Sequence, residues 1–344
     1  MPIKVIRDPK KKIQSHNNWV KSVAYSPDGQ FLATASTDKT VKCFEDGKEL
    51  FKVQHPDWVW HVCFSYTARR KRIATACLDG IVRILEATTG RVVKEITGHT
   101  GTVNCCAFAE EGETIVSVSY DHTAKIFNVG SGKLIHNIEY QCPVLSVAVS
   151  STGTAFTGDT SGTIKEIDVK TGKVLGEWKA HRGHIEVLAL SASGDFLASG
   201  GGDECVIVWR KESGKGWVEE QTMIHFDVVN SVAFSPDDSI LGAASDNGAQ
   251  LFEVGGEWEE QANIEYHQDQ VNGLSFFANG PRLTVATASD DKSVCLWDLS
   301  PVSVALKVLK AKRAKEGKSS RVSDGGKKKG EVTVGDRTDM DGID

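Results

Sequence analysis

Nowhere in the chain is there an apolar run long enough to span a bilayer, and Met1-Pro-Ile-Lys4 opens it without the apolar stretch of a secretory leader. Membrane insertion is therefore not expected. No two of the eight cysteines stand at CxxC spacing, so neither a zinc ribbon nor a thioredoxin-like redox pair is indicated. Most of them fall in segments that read as strands, where they behave as small apolar residues of a reducing compartment. Cys105 and Cys106 are adjacent and point to opposite faces of one strand, so no metal site is expected from them. Catalytic signatures are missing as well: there is no HExxH, GxSxG or protein-kinase motif. Gly200-Gly-Gly202 lacks the Gly and Lys spacing of a phosphate loop and sits at a strand end. The expectation is a protein that is not an enzyme and needs no cofactor, intracellular and soluble, in the cytoplasm with the nucleus as an alternative.

What the chain does have is a repeat. A His, a Val or Ile four residues later, an Asp about twenty further on and a large apolar residue six beyond it recur seven times. The His positions are His16, His55, His99, Tyr140, His181, His225 and His267. The Asp positions are Asp38, Asp79, Asp121, Ser161, Asp203, Asp246 and Asp291, followed by Phe44, Leu85, Phe127, Ile167, Trp209, Phe252 and Trp297. The steps between successive His positions are 39 to 44 residues, room for four short strands and their turns. Within each unit a strand of small residues, such as Ser22-Val-Ala-Tyr-Ser26 or Ser231-Val-Ala-Phe-Ser235, precedes a turn, as at Ser26-Pro-Asp-Gly29, Ser191-Ala-Ser-Gly194 and Ser235-Pro-Asp-Asp238. Next comes a nearly all-apolar strand, such as Phe31-Leu-Ala-Thr-Ala35, of the kind covered on both faces. The period predicts an all-β fold: a seven-bladed β-propeller of four-stranded antiparallel blades over residues 1–310, with 311–344 as a disordered tail.

Residues 10 to 306 resemble the WD40 repeat family. In that family the repeated His, a Ser or Thr, the Asp and the Trp form a hydrogen-bonded tetrad within a blade. Carried over by position, the resemblance implies tetrads at His16, Ser36, Asp38 and Phe44; at His99, Ser119, Asp121 and Phe127; and at His267, Ser289, Asp291 and Trp297. Blades 2, 5 and 6, with Cys77, Gly201 and Ala244 at the hydroxyl position, read as degraded, and blade 4, with Tyr140, Asp159, Ser161 and Ile167, keeps almost nothing. A His–Asp pair repeated around a ring is a structural network; a catalytic centre would be one constellation. Ring closure requires a fourth strand for blade 7, for which Lys10–His16 and Val304–Lys310 compete, with the N-terminal segment preferred.

The resemblance also implies which side chains line the channel mouth on one face: those flanking the first Val of each inner strand and the one before the repeated Asp. Here these include Trp19, Lys21, Trp58, Trp60, Leu78, Asn104, Tyr120, Glu186, Asn230, Asn272 and Asp290. Large aromatics on adjacent blades, beside an acidic and amide-lined sector, suggest a surface that holds a peptide or partner loop, with Glu186 and Asp290 pairing to its basic groups. The expected partners are one or more proteins, within a multiprotein complex. The rival reading is a nucleic-acid-associated subunit. Of 40 Lys and Arg and 46 Asp and Glu, eleven and seven lie at 307–344, which leaves 29 and 39 in the repeats. An acidic body speaks against a nucleic-acid platform and leaves that role to the tail alone. Lys312-Arg313 and Lys327-Lys-Lys329 resemble a loose two-part nuclear import signal. A receptor of the cullin-ligase type is disfavoured, because its Trp-Asp-x-Arg motif is here Trp297-Asp-Leu-Ser300.

Overall fold

The computed structural model describes residues 4–65, 71–246, 248–280, 282–302 and 306. Contacts divide the chain into two units, Met1–Ser303 and Val304–Asp344. The segment expected to be a tail, 311–344, lies outside the described residues, as does Val304–Lys310 apart from Leu306.

Seven sheets, each with four antiparallel strands and one with a fifth, parallel strand added, follow one another along the first unit, with almost no helix among the described residues. In blade 1 the order from the channel outward is Val20–Tyr25, Phe31–Ser36, Thr40–Glu45 and Lys48–Gln54. The seven-bladed propeller read from the period is therefore the fold. Burial follows strand position. Second strands such as Phe31–Ser36 and Thr114–Ser119 are buried at every residue, because neighbouring blades cover both faces. Fourth strands such as Leu134–Glu139 are mostly exposed. All three expected turns close by a backbone hydrogen bond, Gly29 N to Ser26 O at 2.8 Å, Gly194 N to Ser191 O at 3.0 Å and Asp238 N to Ser235 O at 2.9 Å. Gly29 and Gly194 hold the left-handed conformation at φ +68 and +77, where a side chain costs most.

Two kinds of contact join the blades. Apolar side chains fill each seam, as where Ala74, Val82 and Ile84 of blade 2 meet Cys106, Phe108 and Ile115 of blade 3. Nearer the channel, inner-strand serines accept a backbone amide from the next blade: Val62 N to Ser22 Oγ at 3.3 Å, Leu188 N to Ser146 Oγ at 2.8 Å, Leu274 N to Ser231 Oγ at 3.0 Å and Tyr25 N to Ser275 Oγ at 2.9 Å. The last of these crosses from blade 7 to blade 1.

Blade 7 consists of Val271–Asn279, Arg282–Ser289 and Ser293–Asp298, completed by the N-terminal strand Lys11–Gln14. The pairing is antiparallel, with Lys11 opposite Leu296 and Ile13 opposite Val294. The preferred closure is thus the one adopted. A strand that the repeat does not announce, Lys4–Ile6, adds in parallel to the outer strand Glu260–Glu265 of blade 6, with Lys4 opposite Ala262, and Arg7 pairs with Glu265 at 2.9 Å. One short segment therefore bonds to two successive blades.

Ile13 is the apolar contact of the closing strand, buried among Val20, Leu32, Phe44 and Val294. Ile13→Ala should lower unfolding stability by about 2–4 kcal/mol, read as a lower urea midpoint, because it loosens the seam that closes the ring.

Candidate functional site

Each His-position residue reaches inward from the segment before its inner strand, so its environment is set by which polar groups the second strand and the following turn present. In blade 1, His16 Nδ1 lies 2.9 Å from Asp38 Oδ2 and Nε2 lies 2.7 Å from Thr34 Oγ1. Blade 3 repeats this with His99, Asp121 at 2.8 Å and Ser117 at 2.9 Å. Blade 7 has His267 with Asp291 at 2.9 Å and Thr287 at 2.7 Å, and Trp297 Nε1 donates to the same Thr287 hydroxyl at 3.0 Å.

The hydroxyl of these networks is therefore not Ser36, Ser119 or Ser289 but the residue two positions earlier. The expected serines shape the turn: their Oγ accepts the amide of Asp38, Asp121 or Asp291, each at 3.0 Å. This register change alters the reading of blade 5. Gly201 is not its hydroxyl position; Ser199 is, and it bonds His181 Nε2 at 2.8 Å and Trp209 Nε1 at 3.0 Å, while His181 Nδ1 meets Asp203 at 2.8 Å. Blade 5 holds a complete His, Ser, Asp and Trp set. In blade 4, Tyr140 OH bonds Thr157 Oγ1 at 2.5 Å in place of the imidazole.

Blades 2 and 6 lose the pair in different ways. His55 keeps Thr75 at 3.0 Å, but Asp79 turns to Arg83 at 2.7 Å, and His55 Nδ1 is left without a partner. In blade 6 the hydroxyl position is Gly242, and neither nitrogen of buried His225 has a hydrogen-bond partner. Burial brings His225 down to about 4 and, with the charge of Arg83, brings His55 down to about 4 as well. Burial works against ionised Asp38 and Asp291, yet hydrogen bonds from His16 with Thr40, and from His267 with Ser293, hold both well below the usual carboxylate range.

At the channel mouth the backbone sets the same corner in blades 1, 2, 3 and 7: Thr37 N donates to Trp19 O, Leu78 N to Trp58 O, Tyr120 N to Thr102 O and Asp290 N to Gln270 O, all at 2.9–3.1 Å. Residues 18 to 20 apart are thereby set side by side. Trp19, Trp58 and Tyr120 are exposed by 43%, 37% and 52%. Trp60 is half-buried, edge-on to Trp58 with ring centroids 6.1 Å apart, and its indole nitrogen is buried without a hydrogen bond. Leu78 is half-buried beside them. Lys21 lies 4.8 Å from the centre of the Trp19 ring and 6.0 Å from that of Trp60, its ammonium paired with Asp290 at 3.0 Å.

Several candidate contacts are used internally. Asp290 is buried, bonded to Lys21 and to Asn272 Nδ2, so its carboxylate is not available to a ligand. Asn104, Asn230 and Asn272 donate to the first inner-strand carbonyl of the next blade, Val144, Val271 and Val20, at 2.8, 3.4 and 3.1 Å. They act as clamps between blades. Glu186 keeps an exposed carboxylate, 3.6 Å from His184; the protein walls around it push it up, partly offset by His184 and Lys21. Tyr120 is pushed up by burial and by the charge of Glu186, which brings these two into one sector. The central channel, about 1730 Å³, is lined by small inner-strand residues such as Ala24, Ala107 and Ala233 and includes none of the mouth aromatics. The candidate aromatic site therefore lies outside this channel cavity.

The class is that of a closed seven-bladed β-propeller built from repeats. Residues 7–45, 47–85, 90–128, 172–210, 218–253 and 258–298 match the family described as WD domain, G-beta repeat, and the chain belongs to that family. The stretch left unmatched, 129–171, covers most of blade 4, where Tyr140 replaces the His. Among curated proteins the chain is similar to apoptotic protease-activating factor 1 of Rattus norvegicus, 23% identical over 68% of this chain and 22% of that protein. It is also similar to the U3 small nucleolar RNA-associated protein 15 homolog of Xenopus tropicalis, 29% identical over 64% of this chain and 43% of that protein, and to protein tipD of Dictyostelium discoideum, 37% identical over 37% and 20%. The chain thus spans less than half the length of these relatives. A propeller of this family is the architecture of a protein-interaction scaffold. Among the described residues no helix is long and apolar enough to cross a membrane.

Thr287→Val removes the acceptor of Trp297 and the partner of His267 while preserving shape, and should lower stability by about 1–3 kcal/mol in chemical denaturation. His225 gives a pH signature. Its folded value, about 4, lies below the unfolded 6.5, so below pH 6.5 the unfolded chain takes up a proton that the native one refuses. Stability is intact above pH 6.5 and falls by roughly 2–3 kcal/mol as the pH drops to 4. His225→Gln should flatten that part of the curve, with the share due to His55 remaining.

Proposed function

We propose that the chain is a non-enzymatic interaction platform that holds a short peptide or a loop of a partner protein against the aromatic sector of blades 1 to 3. The observation that carries this reading is the exposure of Trp19, Trp58 and Tyr120 around a lysine already neutralised by Asp290. Aromatic side chains on neighbouring blades offer a large apolar contact area at small conformational cost, which is how most interfaces concentrate their energy. With Asp290 committed, the acidic contribution rests on Glu186, whose charge is felt at Tyr120. The partner segment that fits has an apolar or aromatic residue for the Trp sector and a basic residue for Glu186. Its own acidic residues would meet Lys21 only by competing with Asp290.

The relatives' names support a place in assemblies without naming this chain's partner. One of them is described as associated with U3 small nucleolar RNA. The basic run of 307–329 is the part of this chain with a matching composition, while the acidic body is unsuited to that contact.

Trp58→Ala combined with Tyr120→Ala is the direct test, since both side chains are exposed whereas Trp60 is half-buried. Affinity capture with the full chain should lose its specific partners with the double variant, by about 2 kcal/mol or more in binding, while the thermal midpoint stays within a degree or two of wild type. An unchanged catch from a folded variant would move the working surface away from this face.

A further inference from the structure

The repeats provide their own control for unusual residues, because seven equivalent positions can be compared within one chain. Three neighbouring positions depart from it together. The inner-strand position that is Ser22, Ser146 and Ser231 in three blades, and Cys105, Val187 and Gly273 in three others, is His61 in blade 2, the one imidazole among the seven. Two residues on, where Ala24, Ala107, Ala148, Ala189 and Ala233 stand, blade 2 has Cys63. The intervening position, Val23, Val62, Val147 and Val232 elsewhere, is Cys106 in blade 3.

The fold brings these three departures to one point. His61 and Cys63 alternate along Val59–Phe64, so both side chains leave the same face, and Cys106 reaches them from the adjacent inner strand Val103–Ala109. One ring nitrogen of His61 and the Sγ atoms of Cys63 and Cys106 all lie within 4.8 Å of one another. His61 Nδ1 is buried and has no hydrogen-bond partner. In blades 1, 4 and 6 the equivalent serine hydroxyl joins two blades, so an imidazole here gives up a stabilising contact. All three residues line the central channel, which offers an ion a way in and a water molecule beside it.

We infer that His61, Cys63 and Cys106 form a zinc-binding site on the seam between blades 2 and 3, with a channel water as the fourth ligand. Two thiolates and an imidazole suit a borderline-soft cation, and three protein ligands with one open position are a known zinc arrangement. Tetrahedral zinc with bonds of 2.0–2.3 Å needs ligand atoms roughly 3.5–3.8 Å apart, so the cluster, whose ligand atoms lie within 4.8 Å of one another, would tighten by up to about 1.3 Å through side-chain torsions. Binding converts both thiols to thiolates and releases two protons to solvent. The two negative charges balance Zn2+, and nothing is oxidised or reduced.

The repeat also supplies substitutions that fit the fold: His61→Ser, Cys63→Ala and Cys106→Val each restore the residue of other blades. The tag-free full chain, reduced and stripped of metal, is titrated with Zn2+ and separately with Co2+, with bound metal counted by elemental analysis. One zinc per chain is expected, and Co2+ should give thiolate charge-transfer bands. Each single variant should keep the wild-type urea midpoint to within the loss of one ligand and bind more weakly by more than the roughly 10–100-fold that loss of an outer-shell partner causes. Failure of the wild type to bind Zn2+, equal binding by the triple variant, or uptake of Cu+ without Zn2+ would each overturn the assignment.

Discussion

A propeller has no single core, and everything on its faces depends on the seams between blades. Each sheet buries its faces only against its neighbours, so the ring is stable when seven seams are filled and the last is closed by the chain itself. The structure meets this with graded chemistry along each seam. Large apolar residues fill the middle, as with Phe108, Ile115 and Phe127 against blade 2. Serine hydroxyls bridge inner strands nearer the channel, and Asn104, Asn230 and Asn272 bond the next blade at the mouth. The seam between blades 7 and 1 carries all three kinds and, in addition, the Lys21–Asp290 pair.

The fold was legible because its signal is periodic. Seven units in which a His or Tyr, a Val or Ile and an Asp or Ser recur at nearly constant spacing cannot arise from one helix or from unrelated strands, and blade number and strand order follow from the alignment, whereas the choice between the two closing segments is made by the pairing of Lys11–Gln14 with blade 7. The identity of the networks' hydroxyl was not legible, for a plain geometric reason. Side chains two apart on a strand share a face, so Thr34 and Ser36 leave Phe31–Ser36 on the same side, and spacing alone does not choose between them. The imidazole of His16 reaches the earlier one. That choice decides whether blade 5 is complete or broken, since Ser199 satisfies both His181 and Trp209 where Gly201 offers nothing.

At the channel mouth the limit was different. Alignment locates side chains by position but is silent on their partners within the protein. Asp290 and Asn272 looked like groups waiting for a ligand, yet both are bonded to Lys21 and to each other across the closing seam. A polar residue at a variable position is as readily a clamp between blades as a contact for another molecule. The exposed aromatics have internal contacts too, Trp19 with Lys21 and Trp58 with Trp60, but leave a large apolar area in water.

Charge gives the mouth a polarity beyond its aromatic surface. Lys21 sits between the Trp rings and is neutralised on its far side by Asp290, so it presents a cation's flank rather than a free charge to the aromatic sector. In blade 5 the exposed Glu186 carboxylate has His184 at 3.6 Å and no direct ion pair to Lys21 among the described residues. The neutral, apolar half therefore costs little to desolvate, while the acidic half attracts a basic group over a longer range. A segment docking here would be oriented by the acidic side and held by the aromatic one. On the proposed reading, steering and affinity would fall to different blades of a ring whose seven units began alike.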